Sequence, residues 1–232
     1  MEALRLLWLF GLSYVLGSVP FGYIITKATK GIDVRQVESG RTGGTNTLRA
    51  AGFWAGLATA TLDILKGAST VWIARAFFPN WAWVHALAPI FAILGHNYSI
   101  VLLEREPNGR IRLHGGAGGA PAAGGALGLW PATFLYILPI GAVIFFFIGY
   151  ASVTTMSVPL ITAGVLAWQA AQGKLPWVYL MYPALAEGLI LWALRPNIQR
   201  LRNGTERVVG LRAWYLKRKR QAQAPGRSRV DP

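Results

Sequence analysis

The chain has 232 residues, 53% of them hydrophobic, and its mean hydropathy of +0.39 exceeds that of a typical water-soluble domain. The formal net charge is +14, and the absence of cysteine excludes disulfides and thiolate chemistry. We therefore predict an all-α polytopic membrane protein. The positive charge is explained by membrane orientation and by attraction to anionic lipid, so it does not indicate a nucleic-acid partner.

Seven segments meet or approach the length of roughly 20 mostly apolar residues that a membrane-spanning helix needs. The fourth segment is rich in glycine and alanine and is short, so a tilted or re-entrant helix is the alternative there. In chain order the segments are 6–25, 53–78, 83–103, 115–130, 132–150, 152–171 and 177–194.

Lysine and arginine are concentrated in residues 27–49, in residues 104–115 and from Arg195 onward, which together hold nineteen of the twenty-three. Cytoplasmic loops carry such an excess. Seven crossings with the amino terminus outside place all three segments on the cytoplasmic side of the plasma (inner) membrane. We expect residues 1–210 to form the membrane domain and residues 211–232 to form a flexible basic cytoplasmic tail.

The loop before the second segment combines glycines with hydroxyl, amide and guanidinium groups. Glycines let successive backbone N–H groups converge on an anion, and arginine can bind two phosphate oxygens at once. This composition indicates a phosphate-binding loop, although a flexible basic loop with helix-capping residues is the alternative. The run is Ser39-Gly40-Arg41-Thr42-Gly43-Gly44-Thr45-Asn46-Thr47-Leu48-Arg49.

Several ionisable residues lie inside apolar segments. Asp63 and Lys66 are three residues apart in the second segment and so share a helix face. Charges at that depth are costly unless they are paired or line a wet cavity, which indicates a functional site, with a structural ion pair as the alternative. His96 is a weaker candidate, because a lone histidine more often hydrogen-bonds a neighbouring helix. We assign no role to Glu187.

Three further segments lie at predicted cytoplasmic ends of helices: the glycine-rich residues 114–120, the residues 150–155 and the polar residues 197–206. Close helix packing explains the first as well as phosphate binding does, and an interfacial collar explains the other two. Because the first loop lies on the same predicted face, all of these segments could converge on one anionic substrate.

In this order, the motifs resemble those of the bacterial acyl-phosphate-dependent glycerol-3-phosphate acyltransferases, which make lysophosphatidic acid. The resemblance covers nearly the whole chain, and its most specific parts are the first loop and the Asp-x-x-Lys-Gly motif. The matching positions are Ser39, Gly40, Gly43, Thr45, Asn46, Arg49, Asp63, Lys66, Gly67, Gly95, His96, Gly115, Gly116, Gly118, Tyr150, Ser152 and Asn197.

The chain departs from the family pattern at three of its motif positions. A lysine of the glycine-rich segment is replaced by Ala117, a histidine three residues before Asn197 by Leu194, and an asparagine of the first loop by Arg41. The chain is also longer before the glycine-rich segment. Our hypothesis is that Arg41, Arg110 or His114 replaces the lost positive charge.

The resemblance implies transfer of an acyl group from acyl phosphate to glycerol 3-phosphate by a monomer in membrane lipid, without metal or cofactor. The alternatives are a non-catalytic relative that binds phospholipid or a phosphorylated metabolite, and a small-anion transporter, which the lack of internal repeats disfavours. The implied catalytic residues are Ser39, Arg49, Lys66, Ser152 and Asn197, with Arg49 and Lys66 as phosphate partners. The implied substrate-binding residues are Gly40, Gly43, Thr45, Asn46, Asp63, His96, Gly115, Gly116 and Gly118.

Overall fold

The structure is a computed structural model that describes residues 1–223, and this part of the chain is mostly helical. The helices are α1 (Glu2–Ser18), α2 (Phe21–Lys30), α3 (Gly44–Ala51), α4 (Phe53–Phe77), α5 (Ala82–Asn97), α6 (Gly119–Leu129), α7 (Phe134–Val143), α8 (Ala151–Ala171), α9 (Met181–Ala193), α10 (Arg195–Arg202) and α11 (Gly210–Gln223).

An antiparallel hairpin of two short strands, β1 (Leu103–Arg105) and β2 (Ile111–Leu113), lies where the sequence predicts a polar loop. Leu103 is opposite Leu113 in the register. The all-α expectation is therefore confirmed for the helical body but was wrong for this connection.

Proline and glycine mark the helix boundaries. Pro20, which has no backbone N–H, separates α1 from α2. Gly149 has a φ of 76° in the left-handed region that other residues avoid, and it ends the helical stretch before α8. The two predicted spans 132–150 and 152–171 are therefore separate helices.

The core is arranged around α5, which contacts α1, α4, α6 and α9. The approach of α4 to α6 depends on small residues, because a Cβ atom at Gly124 would overlap the carbonyl group of Ile64. The fully buried Tyr182 of α9 donates a hydrogen bond of 2.6 Å to the carbonyl oxygen of Ala122 in α6. Helix packing therefore explains the glycine and alanine content of α6.

The outer surface of the bundle is strongly apolar. Large side chains that protrude from it include Trp8, Leu135, Phe147, Leu160 and Trp192. Such a surface is unfavourable in water and suits the hydrocarbon of a bilayer, which indicates that lipid surrounds the helices.

Within residues 1–223, four helical segments are long and apolar enough to cross a membrane, and a fifth is added if the pair Trp177–Ala193 and Arg195–Arg202, bent by 67°, counts as one span. Helix α4 has 25 residues but carries several charges, and α6, with 11 residues, is shorter than a span requires. The count of seven spans and its orientation therefore stay a prediction. The four segments are Glu2–Lys30, Ala82–Leu102, Pro131–Ile148 and Ala151–Ala171.

Helix α11 contains residues 211–223 of the predicted tail, and the remaining residues, 224–232, lie outside the described part of the chain. Its start is attached to the bundle, because Arg212 Nη1 donates a hydrogen bond of 3.0 Å to the carbonyl oxygen of Ile148. The guanidinium of Arg212 also lies 4.7 Å from the ring centre of Tyr150. The division of the chain at residue 210 stays a prediction.

Replacing Gly124 with alanine should destabilise the protein, because the added methyl group would force α4 and α6 apart. The matched control is Gly164→Ala in α8, where an added Cβ meets no atom within 4 Å. In thermal unfolding in detergent, we expect Gly124→Ala to lower the Tm by roughly 3–10 °C and Gly164→Ala to leave it unchanged or raise it. Equal Tm values for the two variants would contradict the close packing of α4 on α6.

Candidate active site

The three basic segments meet at one end of the helical bundle. In the first loop, the backbone N–H of Thr42 donates to the carbonyl oxygen of Gly115 at 3.3 Å. The carboxylate of Glu38, in the same loop, lies 3.2 Å from Nε of Arg207, which is in the connection between α10 and α11. The structure therefore brings these segments together, whereas their cytoplasmic location stays a prediction.

An inner cavity of about 170 Å³ lies where the first loop meets α4, α5 and the start of α6. Two buried ionisable side chains, Asp63 and His96, belong to its wall. A carboxylate oxygen of Asp63 is 2.8 Å from Lys66 Nζ and 3.6 Å from His96 Nδ1. Lys66 Nζ also donates to the carbonyl oxygen of Val19 at 2.9 Å. Lys66 therefore balances the charge of Asp63 from behind the cavity wall.

An outer cavity of about 680 Å³ lies between the first loop, the hairpin and α10. Its wall is basic, since Arg112, Arg195 and Arg200 line it. The amide of Asn97 also lines it and is buried, and neither of its polar atoms has a hydrogen-bond partner among the described residues. A polar ligand would remove the cost of leaving this amide unpaired. No motif in the sequence marks Asn97 as a site residue, although it directly follows His96.

An apolar groove of about 440 Å³ adjoins the inner cavity. The two share Gly119, Ala120 and Thr155 as lining residues, so the polar site is continuous with an apolar surface. Thr155 belongs to the predicted polar segment 150–155, in which it was assigned no individual role. The apolar side chains along the groove are Leu57, Ile137, Leu138, Phe145, Phe146 and Val158.

The first loop is held in shape by the buried side chain of Asn46. Its Nδ2 atom lies 2.9 Å from each of three carbonyl oxygens, those of Val34, Val37 and Arg41, and its Oδ1 accepts from the backbone N–H of Ser39 at 3.4 Å. The donor capacity of this amide is used within the loop. Asn46 therefore shapes the inner cavity that it lines.

The glycine-rich segment crosses the end of α5 at close range. The backbone N–H of Gly116 donates to the carbonyl oxygen of His96 at 2.9 Å, and a Cβ atom at Gly116 would overlap the imidazole ring. Gly118 has a φ of 90°, which favours glycine. The glycines before α6 are thus required for the approach to His96, whereas those inside α6 serve helix packing.

A buried carboxylate, Glu206, links two of the predicted catalytic residues. Its Oε1 accepts from Ser152 Oγ at 3.2 Å and from Asn197 Nδ2 at 2.8 Å, and its Oε2 accepts from Arg200 Nε at 2.9 Å. Its side chain is only 4% exposed. Glu206 belongs to the predicted polar run 197–206, but nothing in the sequence distinguishes it as a site residue within that run.

Arg41 lies between the two polar cavities and lines both. Its guanidinium donates to the carbonyl oxygens of Gly116 and Ala193 at 2.8 and 2.5 Å, and lies 3.5 Å from Asn197 Oδ1. Burial lowers the pKa of Arg41, and the nearby charge of Arg200 lowers it further. Arginine nevertheless remains protonated at neutral pH, so the guanidinium of Arg41 places a positive charge between the two cavities.

The other two candidates for replacing the lost positive charge are placed differently. Arg110 is exposed in the turn of the hairpin. His114 lines the outer cavity, but its Nε2 lies 2.8 Å from a carboxylate oxygen of Glu104. Of the three candidates, Arg41 is the one that reaches the inner cavity.

Most of the predicted site residues line a polar cavity, and Ser39 lines both. Arg49, Lys66 and Ser152 line neither, so their catalytic roles stay a prediction. Burial lowers the pKa of Arg49, which is half-buried in α3, whereas the charge of Glu38 opposes that shift. The inner cavity is lined by Gly43, Thr45, Asn46, Asp63, His96 and Gly118. The outer cavity is lined by Gly40, Gly115, Gly116 and Asn197.

Comparison with known proteins identifies the family. The sequence profile of the family described as "Glycerol-3-phosphate acyltransferase" matches residues 7–204. This chain belongs to the glycerol-3-phosphate acyltransferase family. A protein of that name from Thermus thermophilus is 39% identical over 212 residues, which cover 89% of this chain and 96% of the relative. "Glycerol-3-phosphate acyltransferase 2" from Moorella thermoacetica is 32% identical over 209 residues, with 89% and 100% covered.

Two crystal structures of PlsY, an integral membrane glycerol 3-phosphate acyltransferase, share the fold. The glycerol 3-phosphate form superimposes with a TM-score of 0.76 at 30% identity, covering 91% of this chain and 98% of PlsY. The lysophosphatidic acid form gives a TM-score of 0.75 at 29% identity, with 91% and 99% covered. The family and the membrane fold expected from the sequence are therefore confirmed.

Two positions at which this acyltransferase departs from the family pattern differ in their surroundings. Ala117 lines the inner cavity next to Gly116. The wall therefore carries a neutral methyl group at the position of the lysine in the family pattern. Leu194 is buried in the hydrophobic core. The alanine at position 117 changes the charge of the site, whereas the leucine at position 194 adds an apolar side chain to the hydrophobic core.

Replacing Asn46 with aspartate should loosen the first loop, because a carboxylate cannot donate to the carbonyl oxygens that the amide holds. We expect a loss of stability of about 1–3 kcal/mol, with faster proteolysis within residues 31–43. The matched control is Asn108→Asp in the hairpin turn, where the amide bond that is lost, from Asn108 Nδ2 to Glu106 Oε2 at 3.3 Å, is exposed to solvent and the bond from the backbone N–H of Arg110 is kept. Wild-type stability and protease resistance in Asn46→Asp would refute this role.

Proposed function

We propose that this protein transfers an acyl group from acyl phosphate to glycerol 3-phosphate, giving lysophosphatidic acid. The observation that carries the proposal is the continuity of a polar cavity, a basic outer cavity and an apolar groove. A reaction between a lipid phosphate and a water-soluble phosphate needs these three environments side by side. Membership of the family supports the same activity.

The inner cavity and the groove suit the donor. An acyl phosphate has a small anionic head and a long apolar chain, and the groove begins at lining residues that the inner cavity shares, such as Thr155. We place the phosphate of the donor in the inner cavity and its chain in the groove. The acyl carbon then lies near the shared lining residues.

The outer cavity suits the acceptor. Arg112 and Arg200 can neutralise the phosphate of glycerol 3-phosphate, and the amides of Asn97 and Asn197 can bind its hydroxyl groups. The oxygen of the glycerol hydroxyl forms an ester bond to the acyl carbon, the bond between that carbon and the bridging phosphate oxygen breaks, and the released phosphate takes up the hydroxyl proton. Since the donor is already activated, positioning and charge neutralisation can supply most of the rate.

The predicted residues that line neither polar cavity are assigned supporting roles in this proposal. Ser152 acts through Glu206, which fixes the orientation of Asn197 by hydrogen bonds. Lys66 holds Asp63 in its charged form beside the inner cavity. Arg49 contributes positive potential near the first loop.

We further propose that the protein is a monomer in the plasma membrane, with seven spans, its amino terminus outside and its site facing the cytoplasm. The support is that the basic segments lie together at one end of the bundle. Because the chain contains no cysteine, single cysteines at Asn80 and Asn108 can be labelled selectively. An impermeant maleimide applied to intact cells should modify only the cysteine at position 80, and the reverse pattern would overturn this orientation.

The activity is tested with purified protein in detergent, acyl phosphate and glycerol 3-phosphate. We expect phosphate release that requires both substrates, and lysophosphatidic acid detected by mass spectrometry. Substrate binding without phosphate release would instead support a non-catalytic relative, which the neutral Ala117 favours. Glycerol 3-phosphate flux into proteoliposomes without acyl transfer would identify a transporter.

The placement of the acyl chain is tested by Gly141→Leu. Gly141 lines the groove, and a Cβ atom there meets only Thr154 Cγ2 at 3.9 Å, so the larger side chain can extend into the space proposed for the acyl chain. We expect the KM for long-chain donors to rise roughly 10-fold or more, with little change for short-chain donors. Gly164→Leu, in open surroundings on α8, is the control. An equal change for donors of all chain lengths would argue against this placement.

A further inference from the structure

The inner cavity has an unusual charge balance. Its negative group, Asp63, is already paired with Lys66 at 2.8 Å. Among the described residues that line this cavity, Arg41 is the sole lysine or arginine. The net positive charge that the wall presents to a ligand is therefore that of Arg41.

Arg41 has no acidic partner within 4 Å in the described part of the chain. Its guanidinium is held by the neutral carbonyl oxygens of Gly116 and Ala193, which fix its position without cancelling its charge. A largely buried cation without a counterion is costly, and a bound anion would remove that cost. The guanidinium carries five N–H donors, so its bonds to these two carbonyl oxygens and to Asn197 Oδ1 still leave donors available.

We propose that Arg41 is the principal charge partner of a substrate phosphate group in the inner cavity. This inference rests on the function proposed above and names the cation that holds one of its two phosphates. The planar guanidinium can bind two phosphate oxygens at once, and its anchored position fixes the orientation of that group. The shared chemistry is a terminal phosphate group, whose source is the acyl phosphate donor or the glycerol 3-phosphate acceptor.

A second site in the same wall makes the inference testable by rescue. Ala117 lines the inner cavity directly after Gly116, whose carbonyl oxygen accepts from Arg41. A lysine at position 117 therefore brings a new cation into the same cavity from a different segment. Rescue by this change would show that the cavity needs a charge there, because a purely structural role of Arg41 could not be restored from position 117.

The first measurement compares Arg41→Gln with the wild type and with Arg110→Gln, an exposed control outside both cavities. We expect Arg41→Gln to raise the KM for one phosphate substrate roughly 10- to 100-fold, and Arg110→Gln to change neither KM. A higher KM for acyl phosphate identifies the donor as the source, and a higher KM for glycerol 3-phosphate identifies the acceptor. Unchanged KM values for both substrates would overturn the inference.

The second measurement is the rescue. In Arg41→Gln combined with Ala117→Lys, we expect the raised KM to fall by roughly 10-fold, toward the wild-type value. No rescue in a variant with a wild-type Tm would count against the inference. If Arg41→Gln does not fold, Arg41→Lys replaces it, because lysine keeps the charge but cannot bind two oxygens in one plane. A raised KM is again expected, and an unchanged KM would refute the inference.

A third measurement separates failure of the inference from failure of the proposed function. Inorganic phosphate should raise the Tm of the wild type and of Arg110→Gln, but not that of Arg41→Gln. If the wild type transfers no acyl group yet shows this Arg41-dependent shift, the proposed function fails while the anion site stands. If the wild type is active and phosphate stabilises Arg41→Gln equally well, the site assignment fails while the proposed function stands.

Discussion

The arrangement of the site depends on one buried pair of opposite charges, Asp63 and Lys66. Lys66 also binds the carbonyl oxygen of Val19 at the break between α1 and α2, and Asp63 lies beside His96 of α5. Two charges inside an apolar bundle are stable only together, since removing one leaves the other uncompensated. The pair therefore joins three helices directly beneath the inner cavity, and the glycine-rich segment then packs on His96.

The helical bundle faces two environments, lipid around its sides and water at the end that holds the site. Its outer face is apolar, whereas at one end the first loop, the glycine-rich segment and the carboxyl-terminal helices enclose polar cavities. Glycines make this enclosure possible, since a side chain at Gly116 would displace the ring of His96. Asn46 and Glu206 then fix the polar segments by hydrogen bonds rather than by apolar packing. The preorganised charges of the site are thus supported by buried polar contacts.

Sequence patterns predicted the membrane class, the main helices and the convergence of the basic segments, because hydropathy and charge distribution are local properties. They could not predict that α6 would be as short as 11 residues. They also missed Asn97 and Glu206, whose surroundings are set by residues distant in the chain. Helical spacing placed Lys66 on the face of Asp63, but it could not show that Lys66 would lie behind the cavity wall.

The apolar groove has a consequence for how a lipid substrate is exchanged. Some of its lining side chains, Leu138 and Phe146 among them, are exposed on the surface that faces the bilayer. In the proposed reaction, a fatty chain bound there can move sideways into the surrounding hydrocarbon, so it is not extracted into water at a cost of about 0.8 kcal/mol per methylene group. Turnover can then proceed within the leaflet, while the soluble partner arrives and departs through the aqueous mouth.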